Sequence, residues 1–148
     1  MKKRVGIIIL VLLLLILAGG GAAFYYYYSK YINIDAIYPG MTIQGMSVGG
    51  MTREEAKAKV QEYVDKVSQE TVTLQVKKKE STFALSDIGL KCTNMDVVEK
   101  AYDFGKTGNV FKRVIEVRKL EEEGMDFPLT FSVDKAETRK IVKKKAKK

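Results

Sequence analysis

The chain contains no histidine and a single cysteine among its 148 residues. Without histidine, neither a Ser-His-Asp nor a Cys-His catalytic arrangement can be assembled from this chain alone, and the usual zinc sites lose a principal ligand. Cys92 has no partner for an internal disulfide, so a fold of this size must hold by packing. It follows Leu90 and Lys91 in an alternating pattern, which assigns it the part of a small buried hydrophobe, with an intermolecular bond as the other option. Carboxylates are plentiful, but no pair is marked out for glycosidic cleavage. Asp87, Asp96 and Asp103 read as caps or surface residues, and Glu121 to Glu123 as a solvated turn. The expectation is a chain without catalytic residues, metal or cofactor.

What the sequence does have is one long apolar run, Val5 to Tyr28, directly behind Met1, Lys2, Lys3 and Arg4. As a helix its 24 residues extend about 36 Å at 1.5 Å per residue, against about 30 Å of bilayer hydrocarbon. A secretory signal also starts with basic residues, but its apolar centre is shorter. Here Phe24 and Tyr25 to Tyr28 continue the run as an aromatic belt. The reading is an uncleaved anchor, with the Gly19-Gly20-Gly21 triplet keeping cleavage as an alternative. Three basic residues precede the span and only Lys30 lies close behind it, which predicts a cytoplasmic amino terminus and a domain outside the cell membrane.

The expected organisation is a stub (1–4), an anchor (5–28), a connector (29–36) and one domain (37–148). The net charge is +8, and removing Lys2, Lys3 and Arg4 leaves 23 basic against 18 acidic residues, or +5. Such a domain is attracted to anionic polymers or lipid headgroups.

Local patterns predict an α+β fold of short antiparallel strands and about three to four helices. After the Pro39-Gly40 turn, Thr42 and Ile43 read as a strand continued by Met46 to Val48, with Gly49 and Gly50 as the turn behind it. Thr52 and Glu55 form a capping box for a helix that buries Ala56, Val60, Tyr63, Val64 and Val67. At Thr71 the period changes to two: Val72, Leu74 and Val76, then Phe83 and Leu85, predict a half-buried hairpin, with Lys77 to Lys79 as a solvated tip.

Ser86 to Gly89 reads as one capped turn and Leu90 to Thr93 as a strand. Asn94 is expected to cap a second helix that Gly105 closes in the left-handed conformation. The spacing of Val110, Phe111, Val114 and Ile115 favours a helix, while β-branching keeps a strand in play. Glu121 to Gly124 is expected as an acidic turn, and Phe127, Leu129, Phe131 and Val133 as one strand with Pro128 at its edge or start. Asp134 and Glu137 open a last helix that runs into the terminal lysines.

The order Ile37-Tyr38-Pro39-Gly40-Met41-Thr42-Ile43-Gln44-Gly45, then Val48-Gly49-Gly50-Met51-Thr52-Arg53-Glu54-Glu55-Ala56, resembles the peptidoglycan-binding domain found behind an amino-terminal anchor in VanW-like proteins and in some exported L,D-transpeptidases of Gram-positive bacteria. Phe83 to Leu90, the Ala101 to Arg113 region and Phe131-Ser132-Val133-Asp134 agree with it. The resemblance covers Ile37 to the end. It implies a small α+β domain outside the membrane that holds cell-wall glycopeptide or positions a partner domain near it.

Transpeptidases of this kind use a Cys nucleophile and a His base in a downstream domain, and this chain has no histidine. The chain therefore reads as an anchor plus one non-catalytic wall-binding domain, either a truncated gene product or the amino-terminal targeting fragment of an L,D-transpeptidase or VanW-like protein. Tyr102, Lys106, Asn109 and Arg113 are the candidate contact patch for peptidoglycan or another anionic wall polymer. A solvated Arg113 and a helix cap shaped by Gly105 and Gly108 would account for the same residues. The terminal lysines raise a third class, an anionic-lipid binder, whereas a domain outside the cell argues against nucleic acid.

Overall fold

The structure is a computed structural model that describes residues 2–32, 34–76 and 79–146. Met1, Asn33 of the expected connector, Lys77 and Lys78 of the expected hairpin tip, and the terminal Lys147 and Lys148 lie outside the described residues. The fold is α+β, with one amino-terminal helix long and apolar enough to span a membrane. That helix, α1 (Lys2–Tyr31), has 30 residues and so reaches about 45 Å, some 15 Å more than the hydrocarbon layer. It runs past Tyr28 through the first residues expected as a connector. Its last residue, Tyr31, is buried in the domain core.

Strand β1 (Met41–Ile43) is the centre of a three-stranded sheet. Met46 and Ser47 do not continue it. They form β2, which folds back antiparallel with Ile43 opposite Met46, because Gln44 and Gly45 both take positive φ and turn the chain. On its other side β1 pairs in parallel with β6 (Met125–Phe127), Met41 lying opposite Met125. Asp126 fixes this register: its Oδ1 accepts from Thr42 Oγ1 at 2.6 Å and from the Gly45 N–H at 2.9 Å. Both bonds hold its carboxyl below the usual aspartate range, the Thr42 bond most strongly.

Helix α2 (Arg53–Gln69) starts as the sequence predicts. Thr52 Oγ1 accepts from the Glu55 N–H at 3.3 Å and Glu55 Oε2 accepts from the Thr52 N–H at 2.9 Å. Its Ala56, Val60 and Val64 are buried on Ile37, Tyr38, Met41, Ile43 and Val48, with Val97, Val98 and Ala101 of α3 (Val97–Asp103) closing the same cluster. Val117 and Leu120 of α4 (Val110–Glu123) complete it.

The hairpin of β3 (Thr71–Val76) and β4 (Lys79–Ala84) forms its own two-stranded sheet, with Thr71 opposite Ala84. Phe83 is buried, but Val72 is 38 % exposed, so the expected half-buried face is only partly covered. Val72 lies directly opposite Phe83, so the face they share is covered at Phe83 and opens toward Val72. A 3₁₀ turn, Leu85–Ile88, follows and ends at Gly89, which has φ +70°; Asp87 Oδ2 accepts from the Ala84 N–H at 3.1 Å.

Three further expectations change on the structure. Asn94 does not cap α3: its Oδ1 accepts from the Thr130 N–H at 2.7 Å and its Nδ2 donates to Pro128 O at 2.9 Å, clasping the segment between the last strands. The alternating run from Phe127 to Val133 is not one strand. It breaks into β6 and β7 (Phe131–Ser132), which belong to different sheets, because Pro128 has no N–H to donate and Leu129 N–H turns to Gln44 Oε1 at 2.8 Å. β7 pairs instead with β5 (Lys91–Cys92), Cys92 opposite Phe131. Glu121 to Glu123 are the final turn of α4 rather than a loop, with Gly124 just beyond at φ +69°. Cys92 is half-buried, less than expected.

The last helix, α5 (Lys135–Ala146), is capped by Asp134, whose Oδ1 accepts from the N–H groups of Ala136 at 2.7 Å and Glu137 at 3.0 Å. It docks on the 3₁₀ turn, where Thr138 Oγ1 donates to Ile88 O at 3.3 Å.

Candidate functional site

Helix α3 ends because Phe104 leaves the helical conformation and Gly105 takes φ +67°. The reversal places the four sequence-predicted residues around one corner, between α3 and α4. Tyr102 and Lys106 come together: Lys106 Nζ lies 3.2 Å from the centroid of the Tyr102 ring. The other two do local structural work. Asn109 caps α4, its Oδ1 accepting from the Lys112 N–H at 2.8 Å. Arg113 donates through Nε to Gly105 O at 2.9 Å and through Nη2 to Ile32 O at 2.7 Å, tying the corner to the segment behind α1.

Two residues that the local pattern did not mark complete the corner. Arg53, the first residue of α2, stands 4.4 Å from the Tyr102 centroid and pairs with Glu99 at 3.1 Å and Asp103 at 3.8 Å. Asp35 accepts a hydrogen bond from the Tyr102 hydroxyl. The sequence cues for Arg53 were its place at the mouth of a capped helix and within the resembling stretch Val48 to Ala56; Asp35 had none, lying in the stretch expected as a connector.

This bond to Asp35 pushes the Tyr102 phenol above its ordinary value, and partial desolvation adds to the effect. Lys106 Nζ is closed off from solvent and has no hydrogen-bond partner. Burial pulls its pKa down, while Asp35 and Asp103 pull the other way. An ammonium held over an aromatic face without an acceptor has unsatisfied donors, which meet an incoming oxygen once the side chain swings off the ring. Beneath the corner, Tyr38 is buried, and its hydroxyl donates to Tyr31 O at 2.8 Å. Burial raises the Tyr38 pKa against the opposing effect of Arg113.

A second charged surface lies on α5. Lys135, Ala136, Arg139, Lys140 and Lys143 line a shallow cleft of about 430 Å³. Four cationic side chains on one helix face give a phosphate- or carboxylate-bearing polymer several points of attachment. Among the described residues no group of three or more His, Cys, Asp and Glu side chains is placed to hold a metal ion.

Residues 81–148 match the family model described as "Putative peptidoglycan binding domain". Neither the curated proteins nor the solved structures compared gave a match. The matched stretch begins within β4 and takes in Tyr102, Lys106, Asn109, Arg113 and the whole of α5. The earlier residues from Ile37, over which the resemblance also ran, stand outside it. Structurally they belong to the same body, since β1 pairs with β6 and α2 packs on α3.

Proposed function

We propose that this chain is a membrane-anchored, non-catalytic module that binds peptidoglycan, or positions itself on it, with its domain facing outward. The match of residues 81–148 to a peptidoglycan-binding family carries the reading. Helix α1 supplies the anchor and the basic flank Lys2 to Arg4 sets the orientation. The resemblance of the stretch from Ile37 to Ala56 to VanW-like proteins and exported L,D-transpeptidases favours a positioning role beside wall-modifying enzymes.

The contact surface in this reading is the corner built on Tyr102 and Lys106, shaped by Asn109 and Arg113 and extended by Arg53. Stem peptides present carboxylates to the cations, and a sugar ring finds an apolar face on Tyr102 once Lys106 swings to an acceptor. The basic face of α5 adds long-range attraction that weakens with salt.

The test is co-sedimentation of the full chain, held in detergent micelles, with purified sacculi. Retention at low salt that declines as salt rises is expected, and no retention at low salt overturns the proposal. Lys106→Met should weaken retention while leaving the fold intact, because it removes the free ammonium and keeps the stem over Tyr102. Retention unchanged by both Lys106→Met and Tyr102→Ala, but lost on Lys140→Glu with Lys143→Glu, moves the contact from the corner to α5.

A further inference from the structure

Helix α4 presents large apolar side chains to water that the fold does not use. Phe111 is 82 % exposed and Ile115 67 %, matching the exposure of Leu15 (63 %) and Leu17 (69 %) within α1 itself. Val110 beside them is 52 % exposed. Among the described residues outside α1, Phe111 and Ile115 are the most exposed large hydrophobics. In a water-facing helix, side chains of this size cost solubility unless something covers them.

The position of the patch says what covers it. Phe111, Ile115, Arg118 and Glu122 follow one another at helical spacing and form one stripe of α4. Its Arg118 and Glu122, with the neighbouring Val114 and Glu121, meet the end of α1, where these four line a cleft of about 310 Å³ with Tyr27 and Tyr31. Tyr31 and Lys30 are fixed to Glu121, at 3.3 Å and 3.1 Å. Tyr27 stacks on Tyr31 from one turn nearer the span. The exposed stripe therefore lies on the helix that packs against the aromatic end of α1. Arg118 stands exposed beside that cleft and can reach an anionic headgroup, whereas Lys112 and Lys119 pair with Glu116 at 3.6 Å and Glu123 at 3.7 Å.

The geometry points to α4 as a second membrane contact: its Phe111 and Ile115 face rests in the headgroup layer of the bilayer that α1 crosses, holding the domain in one orientation. This assignment depends on α1 being a membrane span, so its test separates the two. The sequence contains no tryptophan, and a single introduced one is a clean depth probe. The full chain is reconstituted into phosphatidylcholine and phosphatidylglycerol vesicles, with and without brominated acyl chains, as the variants Phe111→Trp, Ile115→Trp, Val133→Trp and Leu14→Trp. Val133 is an exposed reference on the far side of β7 from the loop to β6.

Phe111→Trp and Ile115→Trp should emit to the blue of Val133→Trp and be quenched severalfold more by the brominated lipid, with Leu14→Trp quenched most. Strong quenching of Leu14→Trp with Phe111→Trp and Ile115→Trp no different from Val133→Trp overturns the docking and leaves the anchor standing. Absence of quenching at Leu14→Trp removes the anchor and the docking together. Blue emission from Phe111→Trp that brominated lipid leaves untouched, and that shifts with protein-to-lipid ratio, assigns the patch to a second copy and also overturns the proposal.

Discussion

Replacing Gly105 by alanine tests whether the corner between α3 and α4 is set by packing as well as by backbone conformation. Gly105 has φ +67°, and a Cβ there would sit 2.9 Å from Val117 Cγ2 and 3.1 Å from Tyr38 Cε2. The first cost is the left-handed conformation, about 1 kcal/mol for a residue with a Cβ. The second is overpacking, about 1–3 kcal/mol, because Val117 and Tyr38 are both fully buried and have nowhere to retreat. The total, about 2–4 kcal/mol, is a large fraction of the roughly 5–15 kcal/mol that holds a domain together.

Gly50→Ala is the reference, since Gly50 has φ +80° and nothing within 4 Å of its added Cβ; it should cost only about 1 kcal/mol. Urea unfolding of the full chain in micelles, followed by amide hydrogen exchange at the buried Val60, Val98 and Leu120, reports the domain rather than α1. A Gly105→Ala cost equal to that of Gly50→Ala would refute the packing argument. Gly105→Ala combined with Val117→Ala should cost less than the sum of the two, as the smaller side chain makes room.

Two other outcomes are expected. Tyr38→Phe removes the hydroxyl that serves the Tyr31 carbonyl and should lower stability by about 1–2 kcal/mol, with faster amide exchange at the α1 end of the domain; exchange unchanged at Tyr31 and Ile32 would contradict the link. The carboxyls of Glu55, Asp126 and Asp134 all lie below their ordinary values of 4.5, 3.8 and 3.8, chiefly through hydrogen bonds from Thr52, Thr42 and the Glu137 N–H respectively. A group with a depressed folded pKa stabilises fully above its ordinary value and loses that contribution as pH falls through the folded one. Stability should therefore decline below about pH 4.5, and Asp126→Asn should flatten that decline in an acid titration; an unchanged slope would count against the Asp126 clasp.

Much of the chain was legible because its signals are local. The capping box of Thr52 and Glu55 needs only four residues, and the Thr71 to Ala84 hairpin announces itself by alternation. Contacts between distant residues left no such trace. Thr42 and Ile43 read as a strand behind their turn, but nothing in the local pattern names its parallel partner β6, which packing across the core selects. Asn94 satisfied every local criterion for a helix cap, yet the unpaired backbone around Pro128 claimed its side chain.

The site divides in the same way. Tyr102 and Lys106, singled out because loops on a rigid scaffold carry binding, do come together at the corner. Arg53 and Asp35 arrive from elements far back in the chain. Asn109 and Arg113 proved to serve the backbone first, which a sequence cannot reveal because capping and ligand contact ask for the same polar side chains.

The parallel pairing of β1 with β6 also dictates when this polypeptide sets. Synthesis proceeds at about 5–20 residues per second, so Met41–Ile43 must wait roughly 4–16 s for Met125–Phe127 to be made. During that interval the three-stranded sheet is incomplete, and this part of the nascent chain stays pliable until its last strand has been made.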